Sequence, residues 1–200
     1  KSGDFAYDLE PVNLIAGPSN NYACLAKEVV QFLGSLHSRI NVVVPCTARK
    51  TIVVPRQLRM RTVKATTWKE RIREWRERLA ETSAPQIRAL DLYSGGSWSI
   101  IRKVHSGSFF SENVRLWVIS AGHGVLTPDS FIPPYSATFT RNEIDYVLGS
   151  KEKHQFLKAW WQELIKPKTK STVSVSAPSC SSLSAIARAF PNEPMIVAVS

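Results

Sequence analysis

A chain of 200 residues, 44% of them hydrophobic, is long enough to bury a sizeable core within one domain. Its 26 Lys and Arg against 16 Asp and Glu leave a formal charge of +10, which favours polyanions such as DNA, RNA or nucleotides, with solvated charge on a free surface as the plain alternative. Three widely spaced cysteines, Cys24, Cys46 and Cys180, argue against a disulfide framework or a CxxC metal clip and point to the cytoplasm, and no apolar run approaches the roughly 18–20 residues of a membrane span.

In chain order, residues 12–16 form a short apolar element that ends in Gly-Pro-Ser-Asn-Asn. Leu25, Val29, Phe32, Leu33 and Leu36 then recur at helical spacing across residues 22–36. Residues 40–44 are a β-branched run suited to a strand covered on both faces. The pattern is lost over residues 51–65, a basic loop or ragged hairpin carrying Arg56, Arg59, Arg61 and Lys64. Trp68, Ile72, Trp75 and Leu79 mark one face of the next helix. Residues 90–92 read as a short strand end, residues 98–104 as helical, and residues 116–120 as a strand followed by Gly-His-Gly and a Pro-rich loop. A helix over 151–166, a strand over 172–177, a helix over 180–190 and a buried strand over 195–199 complete the chain. Such alternation predicts a single three-layer α/β domain with a largely parallel sheet. Because the chain begins at Lys1 and stops on an apolar run, it is read as a fragment or one domain of a longer protein.

Ligands of open α/β sheets sit beyond the carboxyl ends of the strands, and three blocks place polar groups there. In the first, Cys46 is followed by Arg49 and Lys50. Cations beside a thiol favour the thiolate, so Cys46 is a candidate nucleophile, against the plain reading of a small buried hydrophobe. Arg49 and Lys50 are candidate anion anchors, or Lys50 an amine nucleophile, against exposed charge in a basic loop. The second block, Tyr93, Ser94, Gly95, Gly96 and Ser97, is a flexible corner whose N–H groups suit an anion, although two adjacent glycines fall short of a phosphate-loop signature. In the third, His123 is a candidate acid, base or donor, and Asp129 a carboxylate at the mouth of the sheet or a turn cap. Neither HExxH nor CxxC spacing suggests a metal, and no cofactor is expected.

Taken in order, Pro45-Cys-Thr-Ala-Arg-Lys50, Leu92-Tyr-Ser-Gly-Gly-Ser-Trp98, Trp117-Val-Ile-Ser-Ala-Gly-His-Gly-Val-Leu126, Pro128-Asp129 and Pro134-Tyr-Ser-Ala-Thr138 resemble a bacterial group related to the YaaA-like proteins. The resemblance covers about residues 40–140. The first block is also similar to the P-C-S-x-K loop of the archaeosine synthase domain, whose lysine engages a 7-cyano-7-deazaguanine base in tRNA. Cys46 and Lys50 are the positions carried over. Here Lys50 is followed by Thr51-Ile-Val rather than Pro-Tyr, and Gly122-His123 stand in place of the usual Lys-Tyr.

The resemblance implies a fold near the uracil-DNA glycosylase-like type and work on modified bases, in DNA more than in tRNA. One such reaction hydrates a deazaguanine nitrile to its amide. In that reading a flipped or single-stranded purine enters the cleft, with Cys46, Lys50 and Asp129 around the reacting group. Arg49, Tyr93, Ser94, Gly95, Trp98, His123 and Tyr135 bind the base, with Tyr93 or Trp98 stacking on it. Arg56, Arg59, Arg61 and Lys64 hold the backbone. Two alternatives stand beside it. Ile15-Ala-Gly-Pro-Ser19 is similar to the opening loop of nucleoside deoxyribosyltransferases, which implies N-glycosidic chemistry on nucleosides or NAD. The basic loop alone fits a non-catalytic nucleic-acid-binding module.

Overall fold

The computed structural model describes residues 39–107, 112–149, 152–166 and 180–198. The expectations for residues 12–16, 22–36 and 172–177 lie outside them.

The β-branched run after Arg39 forms strand β1 (Ile40–Pro45), and Val114–Ser120 forms β3, which pairs with it in parallel. Alternate side chains leave a strand on opposite faces. Accordingly Val44, Leu116 and Val118 join a large cluster, while Val43 and Trp117 join a smaller one with Cys180 and Ile186. The strand is therefore covered on both sides. β6 (Met195–Val197) pairs in parallel on the far side of β1, and β4 (Gly124–Leu126) turns back antiparallel on β3. The sheet order is β4-β3-β1-β6. Two of its three pairings are parallel, and the antiparallel one follows from a connection of three residues, too short for a crossover. Among the described residues β6 has one neighbouring strand, and Ile196 is 47% and Val197 45% exposed, so the expectation of a buried final strand does not hold.

Helix α1 (Trp68–Glu81) starts where Thr67 caps it: the Thr67 hydroxyl accepts from the Glu70 N–H and donates to the Glu70 carboxylate at 2.8 Å. Its inward face is Ile72, Trp75 and Leu79, as the spacing predicts, together with Arg71. Trp68 is half-buried and stacks on Phe156. Residues 51–65 are not a free basic loop. Two 3-10 turns, Arg56–Leu58 and Met60–Thr62, bury Leu58, Met60 and Val63. Arg71 pins the segment from behind by donating to the carbonyls of Met60, Val63 and Ala65, and also to Val147.

The second block departs from the strand expectation. β2 is only Ile87–Arg88, paired antiparallel with β5 (Phe131–Ile132). Residues 89–92 wind into a single helical turn, α2 (Ala89–Leu92), that buries Ala89, Leu90 and Leu92. A short apolar run does not distinguish the two forms by itself. After it come α3 (Gly96–His105), α4 (Phe156–Leu164) and α5 (Leu183–Ala189). α4 is shorter than the 151–166 pattern suggests, and it buries Trp160 and Leu164 against the same cluster as α1. Ile186 of α5 packs with the other cluster. Among the described residues, no helix is long and apolar enough to cross a membrane.

Candidate functional site at the strand ends

Parallel pairing in register sets Pro45 opposite Ile119, and the Cys46 N–H donates to the Ile119 carbonyl at 2.9 Å. The first and third blocks therefore leave the sheet side by side. The second block reaches them through backbone bonds rather than as a strand. Lys50 and Tyr93 form an isolated antiparallel bridge, the Thr51 N–H donates to Leu92 O and the Ser94 N–H to Arg49 O. The Thr47 hydroxyl closes the corner on the carbonyls of Arg49 and Ser94. Gly95 turns here at φ 111°, a conformation open to glycine and strained for any other residue. The three blocks found in the sequence thus converge.

Lys50 is the centre of this convergence. Its Nζ donates to the carbonyl of Thr47 and lies 3.5 Å from that of Ala48. The same nitrogen lies 5.0 Å from the centre of the Tyr93 ring and 4.8 Å from that of Tyr135, so aromatic faces replace part of its water. Burial pulls its pKa down to about 8, an effect that the neighbouring Cys46 partly opposes. Behind it the Tyr93 and Tyr135 hydroxyls lie 3.0 Å apart, and Ser120 Oγ is 2.6 Å from Tyr135 Oη. Burial raises the pKa of both phenols, which keeps them neutral.

Cys46 is half-buried and forms part of the wall of a cleft of about 430 Å³ shared with Ala48, Arg61, Ser136, Glu143 and Asp145. Asp145 braces this wall. Its carboxylate accepts from the Arg61 backbone N–H (2.9 Å), Arg61 Nε (3.0 Å), Arg61 Nη2 (2.5 Å) and the Ser136 hydroxyl (2.7 Å). Burial works against the charged form, but these bonds outweigh it and hold the Asp145 pKa below the usual carboxylate range. With its acceptor sites filled, Asp145 acts as a clamp rather than a base.

Other expected residues fall into three groups. Arg49, Ser94 and Gly95 shape the corner, and His123 sets its ring edge-on to Tyr135 at 4.7 Å. Tyr93, Trp98 and Tyr135 are wholly buried, with Tyr93 and Trp98 ring centres 4.7 Å apart. They form the wall behind Lys50 and present no face on which a base could stack, which corrects the stacking role. Asp129 is not brought to the group. Its carboxylate, 70% exposed, pairs with Arg88 at 3.5 Å. Pro128 and Ser130 are bonded to the start of α2, whereas Arg49 and Thr51 are bonded to its end.

Of the four expected backbone contacts, Arg56 and Lys64 are exposed. Arg59 is committed to the Val54 carbonyl and Arg61 to Asp145.

Ser120, Ser136 and Asp145 escaped the sequence reading. Asp145 sits in a loop without periodic pattern and meets Arg61 across 84 positions, a separation that carries no local signal. Among the described residues, no three His, Cys, Asp or Glu side chains are grouped to hold a metal.

Fold and site together define an α/β protein with a mostly parallel sheet and a Cys-Lys-Tyr constellation at its strand ends. No protein-family model, curated protein or solved structure matches the chain.

Proposed function

We propose that the protein is a nucleic-acid base-modifying enzyme that hydrates the nitrile of a 7-cyano-7-deazaguanine base, in DNA rather than tRNA, on a fold near the uracil-DNA glycosylase-like type. The observation that carries this reading is the pairing of Cys46, on the wall of a cleft of ligand size, with a lysine whose pKa lies at about 8. The Cys46 thiolate adds to the nitrile carbon, and the Lys50 ammonium gives its proton to the nitrile nitrogen, forming a thioimidate. Water then adds to that carbon and passes a proton to the neutral Lys50 amine. Collapse of the tetrahedral adduct breaks the C–S bond, leaves the amide and regenerates the thiolate. Asp129 has no part in these steps. Arg49, Arg56 and Lys64 supply exposed positive charge for the phosphodiester backbone.

The test is an oligodeoxynucleotide containing the cyano base, incubated with the protein and digested to nucleosides for mass spectrometry. The expected product is the carboxamide nucleoside, absent with Cys46→Ala. A fully active Cys46→Ser variant would remove the thioimidate step, and release of a free base would favour glycosidic chemistry instead. The loop that suggested the glycosidic alternative, residues 15–19, lies outside the described residues.

A further inference from the structure

The cleft that holds Cys46 is walled in part by residues 136–145, and most polar groups of that segment are already engaged. The Ser136 N–H donates to Leu58 O and its carbonyl accepts from the Met60 N–H, both at 2.8 Å. Its hydroxyl donates to Asp145, whose carboxylate is otherwise filled by Arg61. The Thr138 N–H donates to Asp145 O, its carbonyl accepts from the Val147 N–H, and its hydroxyl accepts from the Thr140 N–H at 3.0 Å. Of the polar side chains that line the cleft beside Cys46, the Thr140 hydroxyl and the Glu143 carboxylate are left without a hydrogen-bond or ion-pair partner among the described residues.

An exposed glutamate on a turn is ordinary surface charge. Two things set Glu143 apart. Its backbone is tied on both sides, the N–H donating to Thr140 O and the carbonyl accepting from the Tyr146 N–H at 3.1 Å, with Asn142 in the left-handed region at φ 72° just before it. It is also the acidic group of this cleft that stays open to a ligand, because Asp145 is closed by four donors.

A guanine-type base offers what such a group needs. Its six-membered ring presents N1–H and a 2-amino N–H side by side, two parallel donors that match the two oxygens of a carboxylate. A nitrile at position 7 sits on the five-membered ring, away from that edge, so the edge can be held while the nitrile meets a nucleophile elsewhere in the cleft. An adenine-type base instead turns an unprotonated N1 towards the same carboxylate, lone pair against charge.

We propose that Glu143 is a specificity-determining residue whose carboxylate accepts from N1–H and the 2-amino group of the base in the Cys46 cleft, selecting guanine-type over adenine-type 7-cyano-7-deazapurines. The proposal rests on the reading of that cleft as the base site. A base seated there removes water from the carboxylate and strengthens both bonds.

The test reads binding rather than turnover. The full chain carrying Cys46→Ala, which consumes no nitrile, is titrated with two short single-stranded oligodeoxynucleotides that differ in one base, 7-cyano-7-deazaguanine or 7-cyano-7-deazaadenine. The guanine-type strand is expected to bind about tenfold tighter, as for one bidentate base contact. Adding Glu143→Ala is expected to make the two affinities equal. Glu143→Gln, whose amide can accept from a 6-amino group and donate to N1, is expected to reverse the preference. Both variants are expected to melt with the parent protein, because the carboxylate braces nothing among the described residues. Equal affinity of the parent for the two strands, or a ratio that Glu143→Gln leaves unchanged, overturns the assignment. With Cys46 restored, a Glu143-dependent ratio without hydration of the nitrile keeps the base contact and refutes the reaction. Hydration of both bases at the same kcat/KM does the reverse.

Discussion

Lys50 is held at a cost to the fold. Its ordinary pKa of 10.5 falls to about 8 in the folded chain because burial disfavours the ammonium. Between these values the unfolded chain binds a proton that the folded chain does not, so the contribution of Lys50 to stability rises with pH from about 8 to 10.5. Below about pH 8 both forms are protonated and the penalty for burying charge is carried in full. Lys50→Met is therefore expected to stabilise the protein by roughly 1–3 kcal/mol at pH 7, with the gain shrinking towards pH 10.5, and, on the proposed mechanism, to abolish nitrile hydration. Urea unfolding at pH 7 and pH 10 checks this, and equal gains at the two pH values would contradict it. The first block could be picked out because Cys46 and Lys50 lie close together just after an apolar run. Nothing local shows that Lys50 turns back onto two aromatic faces, since Tyr135 lies far along the chain.

At the scale of elements, α1 is the member on which the site depends at a distance. Its 3.6-residue pattern is strong enough to be read directly, and its cap is spelled out by Thr67 and Glu70. What periodicity does not reveal is that Arg71 faces inward. Its guanidinium satisfies carbonyls at Met60, Val63, Ala65 and Val147, groups that no regular ladder serves. Arg71→Met keeps the bulk of the side chain and strands the carbonyls of Val63, Ala65 and Val147, so it is expected to cost about 3 kcal/mol. Hydrogen exchange is expected to accelerate across residues 59–65 while α1 stays protected. Uniform acceleration through both would show that Arg71 supports the helix rather than the segment. α2 was misread for the opposite reason: its four residues are too few to display any period, and tertiary packing chose the helical turn.

Over the whole molecule, the charge of +10 overstates the positive surface available to a polyanion. Arg59, Arg71, Arg76, Arg78 and Arg102 each donate from the guanidinium to backbone carbonyls, and Arg61 is bound by Asp145. Of the basic residues expected to meet a nucleic acid, Arg49, Arg56 and Lys64 remain exposed. Single-stranded DNA binding is accordingly expected to weaken with salt on a log–log slope of about −2 to −3, in line with about three or four phosphate contacts. Replacing Arg56 or Lys64 should flatten that slope by about 0.7 of a unit, whereas replacing Arg59 should lower stability and leave the slope alone. Titrations at several salt concentrations decide the point, and a slope near −10 would mean that the internal arginines also engage the strand.

The sequence by itself determined the α/β class, strands over residues 40–44 and 116–120 that the structure extends to Ile40–Pro45 and Val114–Ser120, the amphipathic α1, and the three blocks in which Cys46, Lys50 and Tyr93 stand. These are legible because hydrophobic periodicity, capping and turn residues act within a few positions of one another. Only the tertiary structure decided that residues 51–65 form part of the core boundary, that Tyr93, Trp98 and Tyr135 are a buried wall, and that Asp145 clamps the cleft while Asp129 faces Arg88 and solvent. Each depends on partners dozens of residues apart, and such pairings follow from strand order and packing, for which a linear pattern carries no local signal.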